Sequence, residues 1–189
     1  VPPGFVATTD ACLAYLKKDK LPDGLMDEVK AQMKALEKKT GKSFGGAKNP
    51  LLVSVRSGSA MSMPGMMDTI LNLGLNPATL KGLIAQTSNA RFGNDAWRRF
   101  IQLFGKIALG IPDEHFDKAM AAIKAKYGAR QDVDLTAEQL AELAGSFLDI
   151  VRERTGKPFP EDPMQQLEIA IGAVFRSWNG KRAIDYRRQ

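Results

Sequence analysis

Between Asn76 and Trp178 one helical period follows another, each closed by glycine or proline, while strand-forming residues are confined to the stretch just before. Phe92 to Leu109, Asp113 to Tyr127, Thr136 to Thr155 and Asp162 to Trp178 are each expected to be helical. Their boundaries are Gly110-Ile111-Pro112, Gly128, Gly156-Lys157-Pro158 and Asn179-Gly180. Thr136 with Gln139 three residues on fits a capping box, and Asp162-Pro163 supplies a cap followed by a first-turn proline. Asn76-Pro77 opens a further helix that runs to about Ala85. The strand candidates are Leu51 to Arg56, with Val53 and Val55 β-branched between Pro50 and Gly58, and Thr69 to Leu75. The expected class is α+β, a small sheet beside a mainly helical part.

The first fifty residues fit this scheme. Pro2-Pro3 keeps the start extended over Gly4 to Ala7, and Thr8 or Thr9 is placed to cap a first helix. Leu25 to Lys39 sets Leu25, Val29, Met33 and Leu36 on one face, an amphipathic helix that stops near Thr40-Gly41. The run GKSFGGAKNP then reads as a loop.

A 189-residue globular chain buries roughly 70% of the surface that its unfolded form exposes, and 44% hydrophobic residues supply a core for it. No apolar run approaches the ~18 residues of a membrane span, and VPPGFVATTD lacks the pattern of a secretory leader. The single cysteine, Cys12, has no partner for an internal disulfide and sits among Ala11, Leu13, Ala14 and Leu16 as a packing residue. A reduced, cytoplasmic setting is expected. The net charge of +6 invites a nucleic-acid reading, yet half of it lies in the terminal KRAIDYRRQ. The rest is spread over helices rich in Asp and Glu rather than gathered into a basic stripe with stacking aromatics, so no nucleic-acid partner is expected.

The chemistry-bearing candidate is VSVRSGSAMSMPGMMD. Its strand carries Arg56 to the carboxyl end, where a planar five-donor guanidinium suits phosphate oxygens. Opposite unit charges 4 Å apart attract by about 4 kcal/mol at an effective dielectric near 20, enough for one held arginine to matter to a polyphosphate. The competing reading pairs Arg56 with a core carboxylate. Ser57, Gly58, Ser59, Ala60, Ser62, Pro64 and Gly65 are small or turn-forming and let backbone N–H groups approach an anion, although the pattern matches neither common glycine-loop motif. Met61, Met63, Met66 and Met67 either cover a base or, for the last two, fill a core beside Ile70 and Leu71. Asp68 either orients a phosphate-bound metal or bonds its own turn. His115, in a first helical turn, gains nothing there from being charged and is expected to face solvent rather than accept a phosphoryl group. One His and one Cys give no metal cluster, and no GxSxG elbow marks a serine hydrolase.

The same string resembles the nucleotide-binding region of the pyruvate, phosphate dikinase family. So, in order, do VPPGF, LPDGL, GIP, DLTA, FPEDP with QQL, and AVFRSWNGKRA. Pyruvate, water dikinase has a comparable strand end but lacks MPGMMDTILNLG. The resemblance implies an ATP-grasp-like lobe at residues 1–87, a helical lobe at 88–162 and a helical return at 163–189. It gives Arg56 a catalytic contact with the transferring phosphates, and Arg56, Ser57, Gly58, Gly65 and Met66 a place in ATP binding. The implied reaction turns ATP, pyruvate and phosphate into AMP, phosphoenolpyruvate and diphosphate through a histidine on a separate swivelling domain. Mg²⁺ and a homodimer are implied with it. By this resemblance the chain reads as a fragment, without the lysine-bearing glycine segment, the Mg²⁺-binding acidic residues or the phosphohistidine and pyruvate domains, and is expected to be inactive alone. The 88–162 lobe is expected to support or dock the moving histidine domain. A noncatalytic helical interaction module is the alternative.

Overall fold

Trp97, Phe100, Ile101 and Phe104 recur at three- and four-residue intervals on one helix, and all four are buried: the periodic stripe becomes the spine of the core. The computed structural model describes residues 2–58 and 68–187. In chain order it contains α1 (Thr9–Lys18), α2 (Leu25–Thr40), β1 (Ser43–Phe44), β2 (Pro50–Leu51), β3 (Val53–Arg56), β4 (Thr69–Leu73) and α3 (Pro77–Thr87). Then follow α4 (Ala90–Ile107), α5 (Asp113–Tyr127), a 3₁₀ turn at Asp132–Asp134, α6 (Ala137–Thr155), α7 (Pro163–Ser177) and α8 (Lys181–Arg187). Among the described residues the protein is α-rich with two small sheets, consistent with the α+β expectation.

Capping residues start the helices largely where their chemistry places them. The Thr136 hydroxyl accepts from the Gln139 N–H, and the Gln139 side chain accepts from the Thr136 N–H, closing the box. Asp162 accepts from Gln165 N–H at 2.9 Å, and Asn76 from Ala78 and Thr79. Asn89 accepts from Phe92, which starts α4 two residues earlier than its apolar period suggests. Thr8 occupies the cap position of α1 without a side-chain cap bond.

Several features depart from the sequence reading, and within the run read as a loop Ser43–Phe44 forms β1 and pairs with Pro50–Leu51. Leu51 to Arg56 is not one strand: Leu51 pairs in parallel with Phe44, whereas Val53 to Arg56 pairs antiparallel with β4, and the register shifts between Val53 and Val55. The change of partner divides the run at Leu52. The second strand stops at Leu73 rather than Leu75, because Asn72 and Gly74 adopt φ of 61° and +100° and Leu75 N–H turns back to the Asn72 carbonyl. The terminal KRAIDYR, met first as a run of charge, forms α8, with Ala183 fully buried.

One buried cluster joins the elements. α4 packs against α3, α6 and β4; α7 packs against α1, β3 and β4. Phe159, just before α7, meets Trp97, Phe100 and Phe104 edge-on at 5.3–5.6 Å between ring centroids, and Phe116 of α5 meets Phe147 of α6 at 5.0 Å. Polar groups enclosed with them are paired. Arg98, 4% exposed, holds Asp95 and Asp132, and Asp132 also binds Lys124, so one carboxylate ties α4 and α5 to the 3₁₀ turn. The Gln166 side chain accepts from Gly74 N–H and donates to the Leu75 and Pro160 carbonyls, which fixes α7 against the end of β4.

Candidate phosphate site at the end of strand β3

Along β3 the side chains alternate between half-buried and exposed, the period of a strand with one face on a core. Val53 and Val55 pack against the core, and Ser54 and Arg56 face outward. The antiparallel register sets Arg56 opposite Thr69, the first residue of β4, which is also exposed. Ile70, opposite Val55, is fully buried and anchors the ribbon from beneath. Arg56 is thus held by a strand whose inner face is pinned while its guanidinium stays at the surface.

Among the described residues Arg56 makes no ion pair, so the reading that binds it to a core carboxylate finds no partner there. Ser57 follows half-buried and Gly58 exposed. A Cβ on Gly58 would meet no described atom within 4 Å. Gly65 and Met66 lie outside the described residues, as do the other three clustered methionines.

On the β4 side, Asp68 is half-buried, and its N–H donates to the Ser177 hydroxyl of α7 at 3.3 Å. Burial raises the Asp68 carboxyl above its ordinary value, and the positive field of Lys106 partly offsets this. Lys106 itself pairs with Asp113, whose carboxyl it holds low together with Gln102. The sequence offered no hint that Ser177 or Lys106 stands near Asp68; AVFRSWNG stands out as a string, but its spacing says nothing of contacts 109 residues away.

His115 does not face solvent freely. It is half-buried beneath Arg154 of α6, with Glu114 at 3.8 Å. Cys12 is half-buried with its Sγ 3.9 Å from the Phe175 carbonyl, as a packing residue would be. Two clefts lie apart from Arg56. One of about 350 Å³ opens between the extended start and α2, and one of about 640 Å³ surrounds the start of α3 at Lys48, Asn76, Lys81 and Glu161. Among the described residues no group of three or more His, Cys, Asp or Glu converges as a metal site.

Comparison with known proteins adds to this geometry. The family model described as "Pyruvate phosphate dikinase, AMP/ATP-binding domain" matches residues 16–189. The pyruvate, phosphate dikinase of Entamoeba histolytica is 57% identical over 190 residues, covering 100% of this chain and 22% of the relative. That of Giardia intestinalis is 53% identical over 187 residues, covering 99% and 21%, and that of Clostridium symbiosum 46% identical over 190 residues, covering 100% and 22%. The chain spans about a fifth of the length of these relatives.

Proposed function

This chain belongs to the pyruvate phosphate dikinase AMP/ATP-binding domain family, and from that membership we propose that it forms one wall of an ATP site in which Arg56 contacts the transferring phosphates. The observation that carries the assignment is the placement of Arg56: a guanidinium at the end of a pinned strand, opposite Thr69, with no carboxylate partner among the described residues. A fork held this way keeps its donors for a ligand's oxygens and needs little reorganisation when charge shifts during transfer. Ser57 and Gly58, with Gly65 and Met66 beyond, complete the proposed contacts with ATP.

The overall reaction proposed for the full-length protein is that of its relatives' name, pyruvate, phosphate dikinase. ATP gives a diphosphoryl unit to a histidine on a swivelling domain, leaving AMP. Inorganic phosphate then takes the outer phosphoryl group as diphosphate, and the remaining phosphohistidine passes its phosphoryl group to pyruvate, forming phosphoenolpyruvate. His115, in α5 beside Arg154, is not assigned that role, because the carrier histidine of the proposal belongs to a separate domain. Mg²⁺ is part of the proposal, with its ligands placed by the family resemblance outside this chain. We assign residues 1–87 to an ATP-grasp-like lobe, 88–162 to a helical lobe that supports or docks the histidine domain, and 163–189 to the return. A cytoplasmic homodimer without nucleic-acid or membrane partners completes the reading; no described helix is long and apolar enough to cross a membrane.

The test is AMP and diphosphate formation by the full-length protein with ATP, Mg²⁺ and pyruvate, with and without phosphate, beside its Arg56→Ala variant. Phosphate-dependent diphosphate release in the parent, reduced by roughly 10²-fold or more in the variant, is the expected result. Turnover without phosphate would move the assignment to pyruvate, water dikinase. No turnover under any condition would leave a helical interaction module.

A further inference from the structure

We propose that Ser177 is a positioning residue for Arg56, acting across the β3–β4 ribbon through Asp68 and Thr69; this rests on the phosphate role assigned to Arg56 above. The Ser177 hydroxyl donates to the Val174 carbonyl one turn back on α7 at 2.7 Å and accepts from Asp68 N–H at 3.3 Å. Its proton is thereby committed to the helix, while its oxygen accepts from the residue that precedes β4. Asp68 directly precedes Thr69, and Thr69 is the residue opposite Arg56 in the ladder. Beneath this pair Val55 and Ile70 pack toward the core, and α7 lies against both strands.

Among the described residues the ribbon has two strands, and its register shifts once between Val53 and Val55. Burial of Ile70 and Leu73 sets the register of the ribbon, and the bond to Asp68 N–H bears on its exposed end, where Thr69 faces Arg56. The Asp68 side chain is half-buried in the same place. Ser177 therefore sets the end of β4 relative to a helix that is itself fixed to Gly74 and Leu75 by Gln166. Losing the hydroxyl frees the Asp68 amide without emptying the core, because serine and alanine differ by a single oxygen atom.

The experiment is a double-mutant cycle in the full-length protein, reading kcat and KM for AMP formation from ATP in Ser177→Ala, Arg56→Ala and the combined variant, with Ser177→Thr as the hydroxyl-retaining control. We expect Ser177→Ala to lower kcat roughly three- to tenfold, the range that corresponds to one hydrogen bond. Ser177→Thr keeps most of the rate, and the combined variant is no slower than Arg56→Ala alone. Additive losses in the cycle overturn the inference, since Ser177 would then act independently of Arg56. An unchanged rate in Ser177→Ala, with Arg56→Ala impaired, overturns it while leaving the phosphate role of Arg56 standing. An unchanged rate in Arg56→Ala overturns that role and the inference together.

Discussion

Gln166 Nε2 donates to the Leu75 carbonyl at 2.8 Å, across 91 residues of sequence, and both residues are buried. The same amide also serves Gly74 and Pro160, so one side chain satisfies three backbone groups, those of Gly74 and Leu75 buried and that of Pro160 half-buried. Gln166→Ala removes all three partners at once. We expect a loss of about 2–4 kcal/mol in unfolding free energy, read as a lower urea midpoint at an unchanged slope. A change within experimental error would show that the backbone groups find other partners.

Asp132 predicts a specific acid response. Its carboxyl is held below the ordinary aspartate range, first by the hydrogen bond from Lys124 and further by Arg98, against an opposing effect of burial. A depressed folded value means that its stabilising contribution is fully present above the unfolded value of about 3.9 and is lost as pH falls through the lower folded value. At neutral pH Asp132→Asn is therefore less stable than the parent, and the gap narrows below about pH 4. Urea denaturation of both proteins at pH 7 and pH 3 measures the gap, and a gap that stays constant refutes the role of this carboxylate.

Two glycines in helices should respond in opposite directions to alanine. In α3 a Cβ on Gly82 would sit 1.9 Å from the Ala47 carbonyl oxygen, a backbone atom that moves only with its loop. Gly82→Ala is expected to destabilise by about 1–3 kcal/mol. In α6 a Cβ on Gly145 would meet nothing within 4 Å, and Gly145→Ala should stabilise by about 0.5–1 kcal/mol through helix propensity. Melting temperatures of the two variants decide both statements.

Arg56 should be inexpensive to remove for the fold. It is exposed and has no ion-pair partner among the described residues, so Arg56→Ala is expected to change unfolding free energy by no more than about 0.5 kcal/mol. Calorimetry of the variant beside its activity separates a functional arginine from a structural one: a large stability loss would return Arg56 to the core ion-pair reading.

Most of the helical content was determined by sequence alone, because helix formation is local: the Thr136–Gln139 box, the Asp162-Pro163 start and the Trp97, Phe100, Phe104 spacing each act within a few residues. The same holds for Arg56 at the end of a strand, since the alternation of Val53 and Val55 and the stop at Gly58 are also local. Only the tertiary structure decided which elements that strand would meet. The division at Leu52 follows from two partners in two directions, the Gln166 bonds from the approach of α7 to the end of β4, and the Ser177 contact from a helix turn that reaches Asp68, just before β4 and 109 residues earlier. Such contacts are selected by burial and by the pairing of polar groups within the assembled core, and no short window of sequence records either.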